Sequence, residues 1–235
     1  MSHPFLRSMD LTAMTARNVQ TPAKPRRPGR PSGGAKGADK REHLLDTALN
    51  LFARQGIVDT SLNAIAREAN VTPAMLHYYF HNRDQLLDVL IEERFLPVRK
   101  MAGEVFDANA DDPVTAFTLL AQRFIDIALE HPWFAPLWLR EVMSESGVLK
   151  QRMDERFGNE RHQIALQAIA RWQAQGKLNP DLEPALLFFT LFGITLLPLA
   201  TAPKWRRERD KGQLNAEDIA RHAVALLRYG IGPAC

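Results

Sequence analysis

Apolar positions recur with helical spacing from residue 44 onward: Leu44, Leu45, Ala48, Leu51 and Phe52 fall at i, i+1, i+4, i+7 and i+8, one face of a helix that Gly56 then stops. A second, shorter segment over 62–69 turns Leu62, Ile65, Ala66 and Ala69 inward. It opens after Thr60 and Ser61, either of which can accept hydrogen bonds from the orphan N–H groups of a helix start. Asn70-Val71-Thr72 predicts a tight turn, because Asn tolerates the left-handed conformation and Thr72 can cap the next helix. Pro73 then stands at a first helical position, where its missing N–H costs nothing. The third helix, 73–80, buries Leu76 and Phe80 and leaves Pro73, Ala74, His77 and Tyr78 outward, with Tyr79 assigned mainly to packing. A fourth begins at Asn82, with Gln85 placed to complete a capping box, and carries Leu86, Leu87, Leu90 and Ile91 toward Pro97, which is expected to kink or end it.

Beyond residue 98 there is no period-2 alternation and no internal repeat. Helix starts at Asp112-Pro113, His131-Pro132, Asp181 to Pro184 and Asn215, with stops at Gly176 and Gly230, predict helices near 113–130, 132–146, 149–175, 184–201 and 215–229. The fold class is all-α, and at 235 residues the chain is long enough for a sizeable core. Residues 1–38 are different: rich in Pro, Gly, Ser and Arg and without a long apolar run, they predict a disordered arm. No apolar signal-peptide region is visible there, so a cytoplasmic location is expected.

Charge sharpens the contrast. The formal net charge is only +3, yet residues 1–41 hold nine Lys or Arg against Asp10 and Asp39, so the rest of the chain is mildly acidic. A basic arm of this kind suits an anionic partner. The single Cys235 excludes a disulfide framework and a cysteine-based metal site. No Gly-rich phosphate loop, paired-histidine metal spacing or nucleophile motif is present, so neither catalysis nor a cofactor or metal is expected.

Two short helices joined by a three-residue turn, the second with a small, polar and aromatic outer face, predict a helix-turn-helix whose second helix enters the major groove of double-stranded DNA. Thr60, Ser61 and Thr72 offer hydroxyls for phosphates, as do Tyr78 and the ring nitrogens of His77, while Pro73 and Ala74 let the backbone come close to base edges. Lys40 and Arg83 are further phosphate candidates. Arg26, Arg27 and Arg30, within PRRPGRPSGG at 25–34, suit either insertion into an A·T minor groove or a solvated tail that adds nonspecific affinity.

The run from Arg41 to Leu87, and in particular TSLNAIAREANVTPAMLHYYFHNRDQLL at 60–87, resembles the DNA-binding domain of the TetR/AcrR family of bacterial transcriptional regulators. Three residues depart from the pattern: Asn70 replaces the usual turn glycine, Arg83 a lysine, and His77 a tyrosine. The resemblance implies an N-terminal three-helix DNA-binding domain over 39–84, followed by a larger helical effector-binding and dimerisation domain over 85–235. It implies a homodimeric regulator, repressing from a palindromic operator and answering to an unidentified small molecule. Aromatic and methionine residues over 98–180 are candidates for that molecule's pocket: Phe106, Phe117, Phe124, Trp133, Phe134, Trp138, Met143, Met153, Phe157 and Trp172, with Arg140, Glu141, His162 and Gln163 as polar anchors.

The stretch 184–203 carries no charge. Pro184 and Pro198 bracket only 13 residues of it, fewer than the roughly 20 a bilayer requires, so burial by a second subunit is expected rather than a membrane. Leu187, Leu191, Ile194 and Leu197, with Ile219, Ala223, Leu226 and Leu227 of the last helix, are the expected halves of an intersubunit four-helix bundle. A nonspecific architectural DNA-binding protein and a membrane-surface helical adaptor remain the alternatives. Removing residues 1–38 is expected to flatten the salt dependence of DNA affinity, measured by fluorescence anisotropy; an unchanged slope would show the arm idle.

Overall fold

The computed structural model describes residues 33–144, 147–158, 160–205 and 215–232, and all regular structure among them is helical. The basic arm with Arg26, Arg27 and Arg30 lies outside the described residues. Helix α1 (Gly33–Gln55) starts before the predicted boundary at Asp39, despite two glycines in its first two positions. A tertiary contact favours these turns: the Tyr79 hydroxyl donates to the Gly37 carbonyl at 3.2 Å. The chain leaves α1 at Gly56, whose φ of +91° is one that a side chain disfavours.

Helix α2 (Leu62–Glu68) is capped by Ser61, whose hydroxyl accepts from the Ala64 N–H at 3.1 Å. Asn70 adopts the left-handed conformation at φ 55°. Thr72 caps α3 (Pro73–Tyr79) by accepting from the Met75 N–H, and Pro73 occupies its first turn. Leu76 and Phe80 are buried in the same cluster as Leu44, Leu45, Ala48 and Phe52. Each such burial is worth about 1.5–3 kcal/mol, and together they fix which side of α3 faces out.

Helix α4 (Arg83–Leu90) opens at Asn82, whose side chain accepts from the Gln85 N–H at 2.8 Å. Gln85 reaches back to the His81 N–H, one residue short of a standard capping box. Pro97 does not end the helix. A π-helical turn over Ile91–Phe95, in which the Leu96 N–H donates to the Ile91 carbonyl, carries α4 into α5 (Leu96–Ala108). Proline lacks an N–H and crowds the carbonyl four residues back; the wider turn ahead of it changes the register and lets the rod continue.

The remaining helices are α6 (Pro113–Glu130), α7 (Phe134–Glu141), α8 (Val148–Phe157), α9 (Glu160–Ala174), α10 (Pro184–Trp205) and α11 (Ala216–Gly230). The single helix expected over 149–175 is broken at Gly158, with φ +60°. The 13-residue limit placed on the apolar segment is overturned. Helix α10 runs through Pro198, and its 19 residues Pro184–Ala202 are long and apolar enough to cross a bilayer by length and composition. It packs against α6, α7, α9 and α11, burying Leu187, Leu191, Thr195 and Leu196, and that packing outweighs one lost backbone bond of about 3 kcal/mol.

Ionic and polar bonds join the helix-turn-helix to this body. The Glu141 carboxylate, 5% exposed, accepts from the Ile57 N–H at 3.2 Å and from the Val148 N–H, at the start of α8, at 3.1 Å. Arg41 grips Glu93 with two bonds of 2.8 and 2.6 Å and lies 5.7 Å from the centre of the Phe80 ring. From α8, Arg152 bonds Asp84 and, at 3.2 Å, Asp88, while Arg156 bonds Glu92. Asp84, Asp88 and Glu92 recur every four residues, so one face of the linking rod is held along two turns.

Glu141→Ala is expected to destabilise the fold, because each buried N–H left without its acceptor costs about 1–3 kcal/mol; an unchanged melting temperature would show the seam idle. The hydrogen bonds from Arg41 hold Glu93 below the ordinary carboxylate value of 4.5 against the opposing effect of burial, with the charges of Arg41 and Arg94 adding smaller contributions in the same downward direction. The pair's contribution, under about 1 kcal/mol for so exposed a pair, is therefore present above that value and lost as pH falls through the lowered one. The difference in melting temperature between Glu93→Gln and the parent protein should shrink as the pH falls below the ordinary carboxylate value of 4.5; a constant offset would contradict this.

Candidate DNA-binding face and effector cavity

With Leu76 and Phe80 turned into the core, α3 presents Pro73, Ala74, His77 and Tyr78 outward. Tyr78 is 78% exposed, its ring edge-on to Tyr79 at 5.2 Å between centroids. His77 is exposed while its Nδ1 donates to the His81 carbonyl at 3.1 Å, which orients the ring and leaves Nε2 as the nitrogen open to a partner. Ser61 at the head of α2 and Thr72 at the head of α3 are exposed, and Lys40 is exposed on α1.

Two predicted contact residues are placed elsewhere. Thr60 is 1% exposed and its hydroxyl donates to the Gly56 carbonyl at 2.7 Å, so it fastens the loop after α1 and offers nothing at the surface. Arg83 is half-buried and turns back onto the same loop, donating to the Ile57 carbonyl and, at 3.4 Å, to that of Val58. Ile57 is thus clamped at both polar groups, by Glu141 at its N–H and by Arg83 at its carbonyl. Arg67, near the end of α2, was not singled out by sequence; it is exposed and has no ion-pair partner among the described residues.

A cavity of about 1190 Å³ lies between α5, α8, α9 and α10. Of the predicted lining, Phe106, Met143, His162 and Trp172 border it. Phe117, Phe124, Trp133, Phe134 and Trp138 do not: they stack in the core, with Phe124 and Phe134 both on Trp138 at 6.2 and 5.4 Å and Phe117 behind Phe106 at 5.2 Å. Glu141 is an interdomain tether rather than a ligand anchor. The walls instead include Arg99, Arg161, Phe188 and Phe192, which sequence reasoning missed. Expecting Pro97 to kink or end the helix hid Arg99, Ala102 and Gly103, which α5 turns to the cavity beside Phe106.

The expected subunit interface is also redistributed. Leu187, Leu191, Ile219, Ala223 and Leu227 are buried within the chain itself, because α10 and α11 pack on each other and on α6. Ile194 is half-buried, while Leu197 and Leu226 remain exposed together with Leu186, Phe189 and Tyr229.

Comparison with known proteins agrees with this architecture. Residues 44–90 match the model of bacterial regulatory proteins of the tetR family, and residues 93–200 match that of the YcdC-like protein C-terminal region. No curated protein gives a significant match. Among solved structures, the ketosteroid transcriptional regulator KstR2 of Mycobacterium tuberculosis is similar at a TM-score of 0.64 and 18% identity, covering 83% of this chain and 96% of that one. NalD of Pseudomonas aeruginosa, the secondary repressor of the MexAB-OprM multidrug efflux pump, aligns at a TM-score of 0.56 and 20% identity, over 84% of this chain and 98% of its own. The haemolysin II regulator HlyIIR aligns at 0.53 and 22% identity, over 79% and 97%. These are regulators rather than enzymes, and their likeness is one of fold. With both of its helical regions matched in the family's order, the chain belongs to the TetR family and is a DNA-binding transcriptional regulator.

Proposed function

We propose that this regulator is a repressor that holds a near-palindromic operator as a homodimer, through two copies of α3, and releases it when a small molecule enters the cavity. The observation that carries the reading is that α3 is fixed from behind by Leu76, Phe80 and the Tyr79 hydroxyl and is bare in front at Pro73, Ala74, His77 and Tyr78. Ser61, Thr72 and Lys40 supply phosphate contacts around it, and Arg26, Arg27 and Arg30 of the arm add a further electrostatic hold. A second copy covers the exposed apolar residues Leu186 and Leu197 of α10 and Leu226 and Tyr229 of α11. Two-fold symmetry then spaces the α3 helices by about 34–36 Å or a small multiple of it. NalD, a repressor by its own description, supports the sign of regulation.

Release comes from how α8 is placed. Lys150 and Asp154 line the cavity, while Arg152 and Arg156 of the same helix hold the acidic face of α4, the rod that starts just after α3. A ligand that shifts α8 therefore shifts α4, and the Glu141 bond to Ile57 passes the same displacement to the loop before α2. Regulation is bounded by the ligand's differential affinity for the two arrangements.

Selection of bound fragments from the organism's genomic DNA tests the reading: an inverted repeat supports it, and base-independent binding favours an architectural protein instead. Tyr78→Ala is expected to weaken binding to the selected site at least tenfold, about 1.4 kcal/mol or more, with circular dichroism and oligomer size unchanged. Undiminished affinity would remove Tyr78 from the interface.

A further inference from the structure

The two ends of the cavity differ in chemistry. Arg161 Nη1 lies 2.5 Å from where a Cβ of Gly103 would stand, so glycine on α5 leaves room for a guanidinium from α9. Farther along the same pair of helices, Phe106 stacks on Trp172 at 5.9 Å, and the Trp172 indole N–H donates to the Ala110 carbonyl at 2.7 Å. Helices α5 and α9 therefore run in the same direction here, with Arg99 and Arg161 together at one end and an aromatic floor at the other. Phe188 extends the floor, its ring 5.9 Å from Phe106.

Neither guanidinium has a carboxylate oxygen within 4.0 Å among the described residues. The acid on the facing wall, Asp154, is bonded to Lys150 at 2.9 Å. Asp107, which also lines the cavity, stands eight residues along α5 from Arg99, about 12 Å at 1.5 Å per residue. Arg99 is held over the Phe157 ring at 5.1 Å. Burial first, and the charge of Arg161 second, push it below the ordinary arginine value, while Asp154 opposes them. Arg99 is half-buried and Arg161 exposed, and two cations brought together repel, so an anion between them relieves the repulsion. The planar fork of a guanidinium suits a carboxylate in particular.

We propose that the cavity takes an amphiphilic carboxylate, its anionic group between Arg99 and Arg161 and its apolar body along Phe106, Trp172 and Phe188. This rests on the reading of the cavity as the effector site and adds the class of molecule it accepts. The apolar body comes from either of two sources, an acyl chain or an aromatic ring system, and both leave the same carboxylate for the arginine pair.

Calorimetric titration of the full-length protein without DNA tests this with decanoate and 2-naphthoate, each beside its neutral counterpart, 1-decanol and 2-naphthalenemethanol. At least one acid should bind about tenfold or more tightly than its alcohol. Arg99→Gln and Arg161→Gln should abolish that preference without weakening the alcohol, and Arg161→Lys should restore part of it. Preference for decanoate identifies an acyl chain, preference for 2-naphthoate an aromatic acid. Alcohols that bind as well as the acids, the absence of binding by either acid, or glutamine variants that keep the preference would each overturn the proposal. Operator release by the same four compounds is measured separately. Acid binding without release leaves this site standing and removes the effector reading; release by an alcohol alone does the reverse.

Discussion

The buried carboxylate of Glu141 is the point through which the two halves of the molecule constrain each other. A carboxylate removed from water needs donors, and here they are backbone N–H groups from two separate places, Ile57 in the loop after α1 and Val148 at the head of α8. Because those donors belong to the backbone, neither segment can move without the other or without leaving a buried group unsatisfied. The helix-turn-helix is in this way referenced to the cavity wall rather than suspended from a single linker.

The linking rod has the same logic with weaker bonds. Asp84, Asp88 and Glu92 on one face meet Arg152 and Arg156, while Glu93 and Arg94 on the other side meet Arg41 and Glu42 of α1. Exposed pairs of this kind contribute little individually. Their value lies in position: they grip the rod ahead of and within the π-helical turn, where its register departs from an α-helix. An arrangement with strong burial on either flank and exchangeable ion pairs between them is suited to small rigid-body adjustments, because packed cores switch between discrete arrangements rather than deform.

Much of the DNA-binding face was legible from residues 44–90. Asn70 at a left-handed position, Ser61 and Thr72 as caps, Pro73 in a first turn and Leu76 and Phe80 in the core come from local stereochemistry and helical period, and the structure has each of them. Thr60 and Arg83 show where that reasoning stops. Nothing local distinguishes a hydroxyl that caps from one that folds back on Gly56, or a guanidinium that meets phosphate from one that clamps Ile57. Those outcomes depend on partners 4 and 26 residues away.

The sequence by itself determined an all-helical chain, its turn and cap chemistry and the inward face of each short N-terminal helix, because these depend on period, φ preference and capping within a few residues. Only the tertiary structure decided that Pro198 lies inside a continuous helix, where packing outweighs the loss of one backbone bond, and that a π-helical turn carries the chain past Pro97. It also decided which aromatic residues form core and which form cavity wall: Phe117 and Phe106 are equally apolar, and only the placement of α9 and α10 puts one behind the other. The pairing of Arg99 with Arg161 has the same origin, two charges far apart in sequence that meet because α5 and α9 border the same cavity.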